Sequence, residues 1–159
     1  VIPDRVRAAL LALRAPRCAY VYDRTVLVET AVAVRAALPA GSTLLYAMKA
    51  NGHPDVLAAL AGEVDGFEVA SGGELALARI ARAGRGNASQ IVFGGPAKTE
   101  GELEGAVETE ATVNVESLLE LRRLAVAAEA AGVRVRTALR VNRAGVDVPG
   151  THHMSGGPT

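Results

Sequence analysis

"DGFEVASGGELALARIARAG", residues 65–84, carries two periodicities back to back. DGFEVA (65–70) is a short, largely apolar run of strand length, and SGGELALARIARAG repeats apolar residues at helical spacing. At the join, Ser71 and Glu74 stand three apart, the spacing at which each side chain satisfies an unpaired N–H at a helix start. The stretch reads as one strand followed by one capped helix.

The same unit recurs on both sides of it. TLLYAM (43–48) is an apolar run, followed by the Asn51-Gly52 turn and by Pro54. Proline is favoured in the first helical turn, so PDVLAALAG reads as a short helix closing at Gly62. QIVFGG (90–95) leads to Thr99 and Glu102, and ATVNV (111–115) leads to Ser117 and Glu120 and then LLELRRLAVAAEAAG. VRVRTALRVN (133–142) is a fifth strand, with Val135, Thr137, Leu139 and Val141 on one face and Arg136, Ala138 and Arg140 on the other. Upstream, AYVYD (19–23) reads as a strand and RTVLVETAVAVRAAL (24–38) as a helix, while RAGVDVPGTHHMSGGPT at the end reads as a loop. Such alternation predicts an α/β fold with a parallel sheet. Periodicity alone leaves open whether the sheet is doubly wound or part of a barrel.

Composition narrows the class. The 159 residues are half hydrophobic, enough for one domain with a core. Seventeen acidic residues balance seventeen basic ones, so no basic surplus points to nucleic acid or an anionic membrane. A single cysteine, Cys18, excludes an intrachain disulfide framework and suits a reducing cytoplasm. No apolar run approaches the roughly twenty residues of a membrane span. VIPDRVRAALLALRAPR lacks a signal-peptide core, and the start at Val1 suggests residues missing before it.

Only two lysines, Lys49 and Lys98, stand among the seventeen basic residues. Where positive charge alone is wanted this chain writes arginine, so a retained lysine hints at a need for an amine; guanidinium does not readily form a Schiff base. Lys49, Glu68 and Arg140 lie in or at the ends of apolar strands, where α/β folds gather functional groups. A structural reading competes: Glu68 and Arg140 would be an ion pair that specifies packing, and Lys49 a surface residue. In the functional reading Lys49 is a nucleophile, its neutral form favoured by apolar neighbours.

Other features read as structural. SGGE is a capping turn ahead of a phosphate cradle, and FGGP (93–96) is a strand-end turn ahead of a ligand loop; neither matches a nucleotide motif. His152 and His153 are adjacent and lack partners at metal-ligand spacing, which suits a solvated loop. Cys18 reads as a small buried residue, and Arg122-Arg123 as a solvated helix face.

YAMKAN (46–51) followed by GFEVASGGEL (66–75) resembles the fold-type III pyridoxal-phosphate enzymes, and most closely the diaminopimelate, ornithine and arginine decarboxylases. IVFGGPAKTEGEL, TVNVESLLELRRL and LRVN extend the resemblance across about residues 19–145. Alanine racemases share the Lys-Ala-Asn motif and the barrel, but the second motif favours the decarboxylases. The resemblance implies the N-terminal part of an alanine-racemase-like (β/α)₈ TIM barrel, with a C-terminal β domain not present in this chain. Residues 1–23 would form an N-terminal helix and short strand, and residues 24–159 a partial cofactor-binding barrel truncated about half-way.

It further implies that Lys49 holds pyridoxal 5'-phosphate as an aldimine, with Glu68 and Arg140 in electrostatic and positional roles beside the cofactor. No metal is implied. The activity would be decarboxylation of an amino acid with a polar distal group, in a cytoplasmic homodimer. FGGPAKT and HHMSGGPT lean toward relatives in siderophore or other secondary metabolism, which act on larger or carrier-linked amino acids. A racemase and a non-catalytic regulatory homologue are the remaining alternatives. The family's ring-stacking histidine, phosphate loop, pyridine-nitrogen acid and cross-subunit cysteine and aspartate all come later in sequence, so 159 residues alone are expected to be inactive.

Overall fold

A computed structural model describes residues 2–15, 18–83 and 90–141. Two helices come first, α1 (Asp4–Ala12) and α2 (Arg24–Ala37). Strands and helices then alternate: β1 (Leu45–Ala47), α3 (Pro54–Leu60), β2 (Gly66–Val69), α4 (Gly72–Ala83), β3 (Gln90–Phe93), α5 (Glu100–Glu108), β4 (Thr112–Val115), α6 (Leu118–Ala131) and β5 (Thr137–Leu139). The five strands form one sheet in the order β1-β2-β3-β4-β5, and every neighbouring pair is parallel.

That order decides between the two architectures left open by periodicity. A doubly wound sheet reverses its strand order at a switch point, whereas a barrel adds each strand beside the one before it. Here each strand lies beside its predecessor, which is the winding of a (β/α)₈ barrel.

Alternation along the strands sorts side chains between the helices and the inner face. Phe67, Val69, Ile91, Phe93, Val113 and Val115 are buried and belong to one core with Leu57, Leu75, Ala78, Leu103, Ala106 and Leu124 of the helices. Burying a phenylalanine such as Phe67 or Phe93 stabilises by about 1.5–3 kcal/mol. Glu68, Val92 and Thr112 take the intervening positions and share one register row across β2, β3 and β4. A smaller cluster of Ala31, Val56 and Leu60, with Leu27 and Tyr46 against it, joins α2 and α3 to β1.

All three expected capping spacings cap helices, with a variation. Thr99 and Glu102 form a complete capping box at α5. Ser71 Oγ accepts from the Glu74 N–H and Ser117 Oγ from the Glu120 N–H, but each glutamate reaches one residue further back, to the Ala70 and Glu116 amides. Gly132 closes α6 at φ 68°, a left-handed conformation that glycine adopts without penalty.

Two expectations fail at the N-terminal end. Residues 18–23 contain no strand: a strand needs a hydrogen-bonded neighbour, and among the described residues none lies beside AYVYD, whose Tyr20 is 92% exposed. Cys18 is exposed rather than buried, since it lies in this same uncovered segment. Asp23 instead caps α2 by accepting from the Thr25 N–H and pairs with Arg5 of α1. The fifth strand is also shorter than the sequence suggests, with all three residues exposed. The loop expected over RAGVDVPGTHHMSGGPT, including His152 and His153, lies outside the described residues.

Candidate active site

Lys49 stands two residues beyond β1, on a single 3-10 turn, Met48–Ala50, tied down on both sides. Met48 is buried and anchors the turn in the core. The Tyr46 hydroxyl donates to the Asn51 carbonyl at 3.1 Å, closing the loop across Lys49. Burial pushes the Tyr46 phenol above its ordinary pKa. Asn51 Oδ1 then accepts from the His53 N–H at 2.9 Å, and His53 Nδ1 from the Asp55 N–H at 3.3 Å, with Pro54 in the first turn of α3. YAMKANGHP is thus a strand end, a lysine-bearing turn and a helix cap in succession. Lys49 itself is exposed, so the apolar surroundings expected from sequence are not supplied by the described residues.

Glu68 sits on the inner face of β2, between Phe67 and Val69 on the core face. Its Oε1 would lie 2.9 Å from a Cβ at Gly94, so any side chain there would make the carboxylate tip move. Gly95 follows at φ 88° and turns the chain back past Ala70. Arg140, just past β5, donates its backbone N–H to the Val115 carbonyl at 3.0 Å. Its guanidinium pairs with Glu116 at 3.6 Å. The pairing considered from sequence was Glu68 with Arg140; the structure supplies Glu116 from the end of the adjacent strand β4.

Lys49, Glu68, Gly94, Asn114, Glu116 and Arg140 all line one cavity of about 500 Å³. The structure therefore brings the three sequence candidates together at the carboxyl ends of β1, β2 and β5. It adds Asn114 and Glu116, which the sequence reading passed over. Their signal was present: Asn114 interrupts an apolar strand, and Glu116 stands two residues on, at the same phase. SGGE behaves as the capping turn expected, because the Gly72 N–H is taken by Glu102 Oε1 at 2.7 Å and the Glu74 N–H by Ser71. Arg122 and Arg123 are exposed on α6, where Arg123 pairs with Glu100 at 3.8 Å.

Among the described residues no cluster of three or more His, Cys, Asp or Glu is placed to hold a metal. Nor is any described helix long and apolar enough to cross a membrane. The donor set offers an accessible amine able to condense with an aldehyde-bearing cofactor, beside two carboxylates, a guanidinium and two glycines.

Residues 25–155 match the family model of the pyridoxal binding domain of pyridoxal-dependent decarboxylases. The chain belongs to this family. It is 40% identical over 145 residues to the 2-[(L-alanin-3-ylcarbamoyl)methyl]-2-hydroxybutanedioate decarboxylase of Staphylococcus aureus, covering 91% of this chain and 35% of that protein. It is 41% identical over 124 residues to the diaminopimelate decarboxylase of Aquifex aeolicus, covering 77% and 29%. Among solved structures, Helicobacter pylori diaminopimelate decarboxylase complexed with L-lysine superposes with a TM-score of 0.71 at 28% identity, over 86% of this chain and 34% of that one. The chain thus spans about a third of the length of the relatives it matches, 35% and 29% in the two curated cases. The parallel sheet described here is the N-terminal barrel architecture of these pyridoxal-dependent decarboxylases.

Proposed function

We propose that the whole protein carrying this chain decarboxylates an amino acid with a polar distal group, in the manner of a diaminopimelate decarboxylase, with pyridoxal 5'-phosphate held covalently on Lys49. The observation that carries this is the convergence of Lys49, Glu68 and Arg140 on one cavity at the strand ends. When bound, the cofactor supplies an electron sink for the pair left behind as carbon dioxide departs.

The chain's own residues then have separable tasks. Lys49 Nζ would be the covalent anchor, and its amine would be placed to carry a proton to the carbon that lost its carboxylate. Glu68 contributes a carboxylate to the same cavity, where Gly94 leaves room for it. Arg140 contributes a positive charge paired with Glu116. Met48 and the Tyr46 hydrogen bond keep the lysine turn from drifting. A cytoplasmic homodimer is part of the same proposal.

One observation favours a second substrate reading. The Staphylococcus aureus relative matches 91% of the chain against 77% for the Aquifex aeolicus one, which supports a larger substrate of the kind its name describes. Treating the whole protein with pyridoxal phosphate, reducing with borohydride and mapping the modified peptide tests the anchor. An adduct on Lys49 is expected; modification elsewhere, or none, overturns the reading. Carbon dioxide release from meso-diaminopimelate, compared with release from the larger substrate, then separates the two substrate readings.

A further inference from the structure

The chain's second lysine is buried and is not part of the cavity lining. Lys98 is 4% exposed, and its ammonium donates at 2.7 Å to the Gly95 carbonyl, at 2.7 Å to the Asn114 carbonyl and at 2.6 Å to Glu120 Oε1. An ammonium has three donors, and all three are used. Its nitrogen also lies 5.6 Å from the centroid of the Phe93 ring.

Each contact leads to the cavity. Gly95 and Asn114 line it directly. Glu120, bonded to Lys98 through Oε1, accepts the Glu116 N–H on Oε2 at 2.9 Å. Glu116 in turn pairs with Arg140 at 3.6 Å. One side chain therefore joins the β3–α5 loop, the end of β4 and the start of α6, and through them reaches the guanidinium that follows β5.

A second observation points the same way. Ala97, immediately before Lys98, is held at φ 58°. For an alanine this left-handed conformation costs roughly 1–2 kcal/mol and persists where the surroundings enforce it. Stability alone gives no reason for the pair, since buried ion pairs are often matched by apolar residues of similar volume.

We propose that Lys98 is a positioning residue for the candidate active site, bracing Gly95, Asn114 and, through Glu120 and Glu116, Arg140. The inference rests on the proposed pyridoxal-phosphate function. It also accounts for both lysines in an arginine-rich chain: Lys49 for an amine's reactivity, Lys98 for an ammonium's three divergent donors, which a planar guanidinium does not reproduce.

The test uses the whole protein and Lys98→Met combined with Glu120→Leu, which removes both charges together. Amide exchange at Gly94 and Arg140 is expected to accelerate at least about tenfold, while Phe67 stays near wild type. Cofactor affinity should fall at least about tenfold, and the pH midpoint of the adduct's absorbance should shift; a merely structural pair would move neither. Lys98→Arg should not restore them. Wild-type exchange at both amides overturns the proposal, as does faster exchange with unchanged affinity and pH midpoint. If the double variant fails to fold, Glu120→Gln is judged by the same criteria. A wild-type protein that takes no adduct on Lys49 sinks the proposed function instead, and exchange alone then decides the brace.

Discussion

Glu68 and Gly94 share one volume at the ends of β2 and β3: a methyl at residue 94 would stand 2.9 Å from Glu68 Oε1. Gly94 leaves room for the carboxylate tip, which a methyl there would push aside. Gly94→Ala is expected to push the Glu68 carboxylate aside and lower turnover by roughly tenfold while the fold survives. Steady-state kinetics with circular dichroism check this, and turnover within about twofold of wild type would contradict it.

Lys49→Ala should abolish the borohydride-trapped adduct and most turnover. Lys49→Arg should fail equally although it keeps the charge, because guanidinium is not a usable nucleophile here. Intact-mass measurement after reduction reads both variants directly.

Tyr46→Phe removes the hydrogen bond that closes the Lys49 turn, made at 3.1 Å to the Asn51 carbonyl. Its expected cost is about 0.5–1.5 kcal/mol of stability, measured by urea denaturation. If Lys49 holds the cofactor as proposed, cofactor affinity should weaken with it.

Glu102 sets an acid limit. The Thr99 backbone N–H holds its carboxyl below the usual glutamate pKa, burial opposing this and the Gly72 N–H, the Thr99 hydroxyl and Lys98 adding to it. A folded pKa below the unfolded value contributes stability that is present above the unfolded pKa, about 4.3. That stability is lost as pH falls through the folded value. Asp65, lowered chiefly by the Leu44 N–H, acts with the same sign. Denaturation midpoints measured from pH 6 downward should therefore fall below about pH 4.3, and Glu102→Gln should flatten part of that decline.

Gly66→Ala should disrupt the β2–β3 pairing. Its Cβ would stand 2.0 Å from the Gln90 carbonyl oxygen, a backbone atom of the paired strand that cannot rotate away. A loss of at least about 1–3 kcal/mol is expected in urea denaturation, with β3 amides the first to lose protection.

Much of this was legible along the chain. The helix starts at Ser71, Thr99 and Ser117 were visible because a cap is a contact between residues three apart. Lys49 could be singled out because an amine is a property of residue type, and it does line the cavity at the strand ends. AYVYD misled because a strand is not a local property: its composition suits a sheet, but no described strand lies alongside it. Cys18 misled for the same reason, since burial depends on what covers a residue rather than on the residue.

By itself the sequence determined the alternation of strand and helix, the caps, and the residue able to act as an amine, because each is set by side-chain type and short spacing. Tertiary structure alone decided the strand order, the pairing of Arg140 with Glu116, and the burial of Lys98 against Glu120. These join residues 22 or more apart, or adjacent strands whose register brings them together, and only the folded backbone sets such distances.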